Sequence, residues 1–200
     1  MPWADVSLVL TADEPAARRA GDALFPAVER HFLSRHDLRP AAPFEGRLFT
    51  VLSERPAGSR VGLVVPVAWH GEAASGDASA PGVLPPGTLL AVADHLNLEL
   101  RGPLTGRWPA CLPRSFPPLT GIYQPADVRA RGGARVYSAG VVVAGVADAG
   151  RLTPFEAGAL SEAGHFVVSD SLVPSAIVAA YYGLTLAACG VPRVDDNDEQ

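Results

Sequence analysis

Three pieces of the last third decide the fold: Gly140-Val-Val-Val-Ala-Gly-Val-Ala147, Thr153-Pro-Phe-Glu156 and Val168-Ser-Asp-Ser-Leu-Val-Pro174. The first is a strongly apolar run of strand length. The second is a helix start, in which Thr153 caps, Pro154 takes the first helical position and Glu156 completes the box. The helix it opens is expected to run to about Ala163 and to stop at Gly164. Phe166 to Ser169 then reads as a short strand, Val173 to Tyr182 as a helix ended by Gly183, and Leu184 to Cys189 as a last strand. Strands alternating with helices imply an α/β fold with a mainly parallel or mixed sheet.

Outward from this core the chain is less regular. Leu98 to Arg135 is rich in Pro, Gly and Arg, which predicts an irregular stretch with one short helix near Asp127. Irregular stretches of that length are usually functional or interface-forming. Thr88 to Ala93 reads as a buried strand and Gly71 to Pro86 as a loop. Arg47 to Leu52 and Arg60 to Trp69 read as two strands joined across Ser53 to Ser59 in a hairpin. Pro15 to about His36 carries apolar residues at helical spacing, as one helix or two broken near Pro26. Before it, Val6 to Leu10 is a strand and Thr11 to Glu14 has capping-box spacing. Residues 1–194 are expected to form one domain, and the acidic tail Asp195 to Gln200 to fray.

The bulk numbers exclude several classes. At 200 residues with 48% hydrophobic and 18% charged residues, the chain is too apolar for disorder. Its longest apolar runs fall far short of the roughly 20 residues that a spanning helix needs. No basic n-region opens the chain, so no secretory signal is visible. The net charge is −5 and every basic residue is Arg, scattered rather than gathered, unlike the dense basic face of a nucleic-acid binder. Cys111 and Cys189 read as two reduced, buried thiols of a cytoplasmic protein, and no metal-ligand spacing is present. No cofactor is implied.

Few side chains offer chemistry. The turn Thr11-Ala-Asp-Glu-Pro15 stands where an α/β protein would bind phosphate, but it has no Gly and carries two carboxylates. Those charges suit a helix N-terminus and repel an anion. His70 ends a strand before Gly71, where it fits an acid/base group or a half-exposed loop residue equally. His95, within Asp94-His-Leu-Asn-Leu98, is read as part of a polar network fixing the chain's exit from the sheet. Ser171 is read as a helix cap, with Asp170 beside it facing a pocket. Ser171, His70 and Asp170 have the residue types of a nucleophile triad, yet no Gly-x-Ser-x-Gly elbow surrounds Ser171.

The order of several motifs resembles the trimeric purine nucleoside phosphorylases. Ala93-Asp-His-Leu-Asn-Leu98 with Leu100-Arg-Gly-Pro103 resembles their Asp-His-(Ile/Leu)-Asn-Leu and Gly-Pro-Asn elements. Ser115-Phe-Pro117 to Tyr123 resembles their Arg-Phe-Pro…Tyr segment. Val141 to Ala147 and Thr153-Pro-Phe-Glu156 resemble the strand and the end of their Gly-Pro-Ser-(Phe/Tyr)-Glu-Thr-Pro-Ala-Glu motif. Val168 to Pro174 resembles Val-Gly-Met-Ser-Thr-Val-Pro, and Ile177-Val-Ala179 with Gly183-Leu184 continues in register. The match covers roughly residues 87 to 192; before it, His70 stands where the family has a pocket histidine.

The resemblance implies a three-layer α/β sandwich with a mixed, partly barrel-like central sheet, and usually a homotrimer. It implies a glycosyltransferase family whose members bring purine nucleosides and phosphate together near a subunit boundary. There a neighbour's phenylalanine closes the ribose side, and Phe116 occupies that position. The pocket positions are His70, Phe116, Leu152, Asp170 and Ser171, and several are changed. The purine-binding glutamate falls on Leu152, the pocket methionine on Asp170, a basic residue on Ala68, and a supporting asparagine near Val194. The Gly-rich phosphate loop and the Asn-Ala-Ala-Gly segment have no counterpart. Phosphorolysis needs phosphate held by cations and backbone donors, and groups that take up charge building on the purine. The expectation is a nucleoside phosphorylase-like protein with a degenerate site, lacking phosphorolysis and serving as a ligand-binding or structural/regulatory subunit. Its partners would be a purine nucleoside or other small molecule, and copies of itself or an active relative. The alternative is an active purine nucleoside phosphorylase with a rewired pocket.

Overall fold

In the computed structural model the described residues are 6–70, 88–99, 102–106, 108–110, 112, 116–128, 135–164 and 167–193. The chain begins with strand β1 (Val6–Ala12), helix α1 (Pro15–Leu24) and strand β2 (Arg30–Leu33). Two short helices follow, α2 (Arg35–Leu38) and α3 (Arg47–Ser53), and then the long strand β3 (Arg60–Trp69). Strand β4 (Leu89–Asn97), a 3-10 turn at Pro125–Asp127 and strand β5 (Val136–Gly145) occupy the middle. The end of the chain holds α4 (Pro154–Glu162), β6 (Val167–Ser169), α5 (Leu172–Tyr181) and β7 (Thr185–Pro192).

All seven strands join one mixed sheet in the order β2-β1-β3-β6-β5-β4-β7, and β7 pairs back on β3. That last pairing closes five strands into a barrel. β3–β7, β4–β5 and β5–β6 are parallel, while β3–β6 and β4–β7 are antiparallel. The mixed, partly barrel-like sheet expected from the resemblance is therefore present. One strand serves both parts. Residues 60–64 of β3 pair with β1, which carries β2 outward, and Ala68 and Trp69 pair with β6. Pro66, which has no N–H to give a ladder, falls between these two sets of partners. Val61, Leu63, Val64, Val65 and Val67 are all buried, as the shared strand of a barrel requires.

Helices α1 and α5 cover the sheet. α1 buries Ala17, Ala20, Gly21 and Leu24, a stripe at i, i+3, i+4 and i+7. Its small residues allow close approach: a Cβ at Gly21 would lie 3.0 Å from Thr11 Oγ1. α5 is apolar nearly all round and packs against β5, β7, α2 and α3. It ends at Gly183, whose φ of +69° suits a residue without Cβ.

Three expectations are corrected. Arg47 to Leu52 is not a strand but helix α3, so no hairpin joins it to β3. Its buried Leu48, Phe49, Val51 and Leu52 have helical spacing, but Gly46 at its N-cap offers no side-chain cap to announce it. The expected helix to His36 ends at Leu24, and Arg30–Leu33 forms the edge strand β2. Thr11 to Glu14 is no capping box: β1 runs on to Ala12, and α1 begins after Glu14 without a side-chain cap. β4 is longer than expected and takes in Asp94, His95 and Asn97. The expected start of α4 is present, with Thr153 Oγ1 accepting from Glu156 N–H and Glu156 accepting from Thr153. The loop from Gly71 to Pro86, Cys111 and the acidic tail lie outside the described residues.

Candidate functional site

The junction between β6 and α5 sets the site. Gly145 of β5 stands opposite Ser169 of β6. Ser169 Oγ accepts from the N–H groups of Ser171 (3.2 Å) and Leu172 (3.3 Å) and donates to Pro66 C=O at 3.2 Å. Ser169 thus satisfies the first amides of α5, the task expected of Ser171. Ser171 holds the N-cap position but makes no side-chain cap bond; its hydroxyl donates to Asp170 Oδ1 at 2.6 Å.

Asp170 is only 1% exposed, and its other oxygen meets Arg35 Nη2 at 2.8 Å. The same nitrogen reaches Asp148 Oδ1 at 3.2 Å. Arg35 is presented by α2, which Ser34 and Asp37 cap reciprocally. Burial alone would lower the Arg35 pKa; the Asp170 and Asp148 carboxylates outweigh it and raise it. One turn on, Arg39 donates to Ala147 C=O and pairs with Glu99 Oε2 at 2.9 Å. Burial pushes the Glu99 carboxyl above the usual carboxylate range, against the pull of Arg39.

Two clefts meet at Glu99. The first, about 620 Å³, is lined by Arg35, His36, Arg39, Glu99, Thr105 and Pro174, among others. The second, about 630 Å³, lies between the Leu98–Glu99 corner and the start of α4. Its walls include Val146, Leu152, Phe155, Leu160, Asp148 and Glu99. Both volumes are in the range of small-molecule sites.

The other expected positions do not converge. Leu152 lines the second cleft and packs on a small cluster of Ala144, Val146, Ala149 and Val168, with Ala68 beside it. His70 follows β3, where its carbonyl accepts from Ser161 Oγ at 2.7 Å. β3 and β6 are antiparallel and Ser169 bonds Pro66, so His70 lies about 13 Å along the strand from that level. No nucleophile triad of Ser171, His70 and Asp170 is assembled. Phe116 is 76% exposed, with its ring 6.2 Å from that of Trp108. His95 Nδ1 meets the buried Tyr123 hydroxyl at 2.8 Å, and Asp94 accepts from His95 N–H, the polar network expected there. In the first turn, Asp13 binds Arg18 and Glu14 binds Arg193. Among the described residues no three side chains are grouped to hold a metal, and no helix is long and apolar enough to cross a membrane.

A closed five-stranded barrel extended by the parallel strands β1 and β2 is the nucleoside phosphorylase fold. Methylthioadenosine phosphorylase from Schistosoma mansoni in its apo form superposes with a TM-score of 0.61, at 12% identity over 96% of this chain and 82% of its own. A point mutant of adenosine/methylthioadenosine phosphorylase from the same organism, in complex with adenine, gives 0.60 at 12% identity over 95% and 79%. A Schistosoma mansoni purine nucleoside phosphorylase complexed with a monocyclic inhibitor is 21% identical over 70% of this chain, with a TM-score of 0.47. This chain spans about half the length of such purine nucleoside phosphorylase chains, 53% and 46% in two of them. No family model matches the sequence, and no curated protein does. The likeness is one of fold.

Proposed function

We propose that this chain is a nucleoside phosphorylase-like protein that does not carry out phosphorolysis and instead holds a small neutral ligand, such as a purine nucleoside or base. One observation carries the reading: the arginines around the junction are matched by carboxylates of the chain itself. Arg35 faces Asp170 and Asp148, and Arg39 faces Glu99. A phosphate nucleophile needs cations whose charge is available to it. Entering here it would meet three carboxylates beside two guanidiniums. The turn after β1 adds Asp13 and Glu14 at a helix start and offers an anion no better welcome.

The test is direct. Purified protein is incubated with phosphate and inosine, guanosine or methylthioadenosine, and ribose-1-phosphate (or its methylthio analogue) is assayed. The expected rate equals the protein-free blank; appreciable release would overturn the reading. The alternative, an active enzyme with a rewired pocket, needs Asp170 to take the place of the missing glutamate. Asp170 Oδ1 already takes the Ser171 hydroxyl, and Oδ2, though it accepts no hydrogen bond, has its charge matched by Arg35 at 2.8 Å, which favours the inactive reading.

A second role is supported by Phe116, an aromatic ring 76% exposed. In assembly with a copy of itself or an active relative, Phe116 would be covered across the boundary. Light scattering on a size-exclusion column checks this: a clean monomer with no co-purifying relative would sink it.

A further inference from the structure

One ion pair stands between the two clefts. Arg39 lines the first, yet its guanidinium ends on Ala147 C=O and Glu99, which both line the second. The side chain is thus a partition between cavities of about 620 and 630 Å³. The backbone around it is fastened by other means. Leu38 is fully buried and its carbonyl accepts from Ser175 Oγ at 3.5 Å, while Asn97 Oδ1 accepts from Glu99 N–H at 3.1 Å. The Arg39 side chain is 25% exposed and borders the open first cleft, so it has room to swing away while the chain stays in place.

The carboxylate that holds the partition is a poorly stabilised anion. Glu99 commits Oε2 to Arg39, while its Oε1 is shielded from solvent and meets no donor among the described residues. On α2, Arg35 is spent on Asp170 and Asp148; past β5, Arg151 faces Asp148. Burial raises the Glu99 carboxyl and Asp170 adds to the rise, against the pull of Arg39. Two other carboxyls around the clefts move the opposite way. Desolvation would raise Asp148, but Gly150 N–H and Arg35 bring it below its ordinary value, and Thr153 N–H does the same for Glu156. His36, exposed on α2, is the other titratable group in the wall of the first cleft.

We propose that the Arg39–Glu99 pair is an acid-released gate: a proton on Glu99 frees the Arg39 side chain and joins the two clefts into one cavity. A charge-assisted hydrogen bond is roughly twice as strong as a neutral one, and protonation removes that advantage. The Ala147 carbonyl is then the one firm acceptor left to Arg39, a neutral group for which water competes. Asp148 stays ionised and keeps Arg35, so α2 does not move. The sign separates this from acid unfolding. A carboxyl raised in the folded chain above its ordinary 4.5 contributes stability that is whole below that value and is lost as pH rises through the raised one. Proton uptake at Glu99 therefore favours the fold while it opens the gate. The inference rests on the ligand-binding reading above for its use, and adds how passage between the clefts is controlled.

Nuclear magnetic resonance of the full chain tests the gate. The Glu99 carboxyl carbon is expected to titrate at a higher pH than those of the other glutamates. The Arg39 Nη signals, distinct while the guanidinium is held, are expected to merge with the same midpoint, while those of Arg35 stay distinct. In Glu99→Gln the Arg39 signals are expected to be merged at every pH. Arg39 signals that stay distinct once Glu99 has its proton, or a Glu99 midpoint no higher than the other glutamates, would overturn the proposal. So would an Arg39 transition that survives in Glu99→Gln, since it would belong to His36. Loss of the native circular dichroism spectrum over the same range would mean unfolding and would overturn it too. If Glu99→Gln does not fold, the two wild-type midpoints decide: coincidence supports the gate and separation refutes it. Release of ribose-1-phosphate in the earlier assay would remove the non-phosphorolytic reading and leave the gate standing, so the two fail separately.

Discussion

Replacing Gly145 with alanine drives a methyl group into the first turn of α5. A Cβ built there lies 3.1 Å from Val173 Cβ, nearer still to Val173 Cγ2, and 3.5 Å from Leu96 C=O. Carbon atoms rest at about 3.5–4.0 Å, so the methyl needs room on the Val173 side. Val173 cannot rotate away: it is 2% exposed, and a β-branched side chain in a helix has essentially one rotamer. Relief therefore means lifting α5 off β5, and Asp170 and Ser171 move with it. The expected cost is about 3 kcal/mol, the upper end for overpacking. Urea unfolding reads this as a midpoint about 1.5 M lower at an m of about 2 kcal/mol/M. Val173→Ala alone is expected to cost about 2 kcal/mol for two buried methyls and the space they leave. If the two substitutions acted independently, the pair would cost about 5 kcal/mol; because Cγ2 is the main obstacle, it is expected to cost only about 3. A Gly145→Ala protein within about 0.5 kcal/mol of wild type, or a double variant at the additive sum, would refute this account.

Two further outcomes are open to the same measurements. Arg35→Leu leaves Asp170 with only the Ser171 hydroxyl, and since Arg35 is itself 44% exposed the expected loss is about 2–3 kcal/mol rather than the full value of a buried pair. Adding Asp170→Asn should recover part of it, and a urea midpoint that does not move for Arg35→Leu would show the pair to be idle. Burial pushes the Cys189 thiol up to about 12 from an ordinary 9.0, so between those values the folded chain keeps a proton that the unfolded chain releases. Its contribution is whole below pH 9 and is lost as pH rises toward 12, at up to about 1.4 kcal/mol per pH unit. In a Cys111→Ser background, Cys189→Ala is expected to flatten that alkaline slope; an unchanged slope would contradict it.

The ends of elements were legible where local chemistry announces them. Thr153, Pro154 and Glu156 start a helix by their own hydrogen bonds, and Gly164 and Gly183 accept backbone angles that other residues resist. α3 reads as a strand because Leu48 to Leu52 contains β-formers and its helical pattern is only seven residues long. β2 leaves no strand signal because Arg30-His31-Phe32-Leu33 is an edge strand with one buried residue and no alternation to show. Of the site, Asp170 and Ser171 could be placed at the start of α5 from sequence order. Arg35, Arg39, Glu99 and Asp148 could not, since their pairing joins α2 to loops about 60 to 135 positions away and leaves no trace in spacing. Ser169 as the cap of α5 had a local signal, a Ser two residues before the N-cap, which the neighbouring Ser171 obscured.

The double duty of β3 reaches back into how the chain acquires its shape. Residues 60–67 find their parallel partner in residues 185–192, the last strand among the described residues to leave a ribosome. Until then β3 has only β1 on one side and β4 only β5, and the edges that β7 will cover have nothing to bond. Contacts this distant in sequence close slowly, and an open strand edge in the meantime is an invitation to other chains. This barrel therefore leaves one edge of its shared strand open from the time β3 is made and closes it only when β7 arrives.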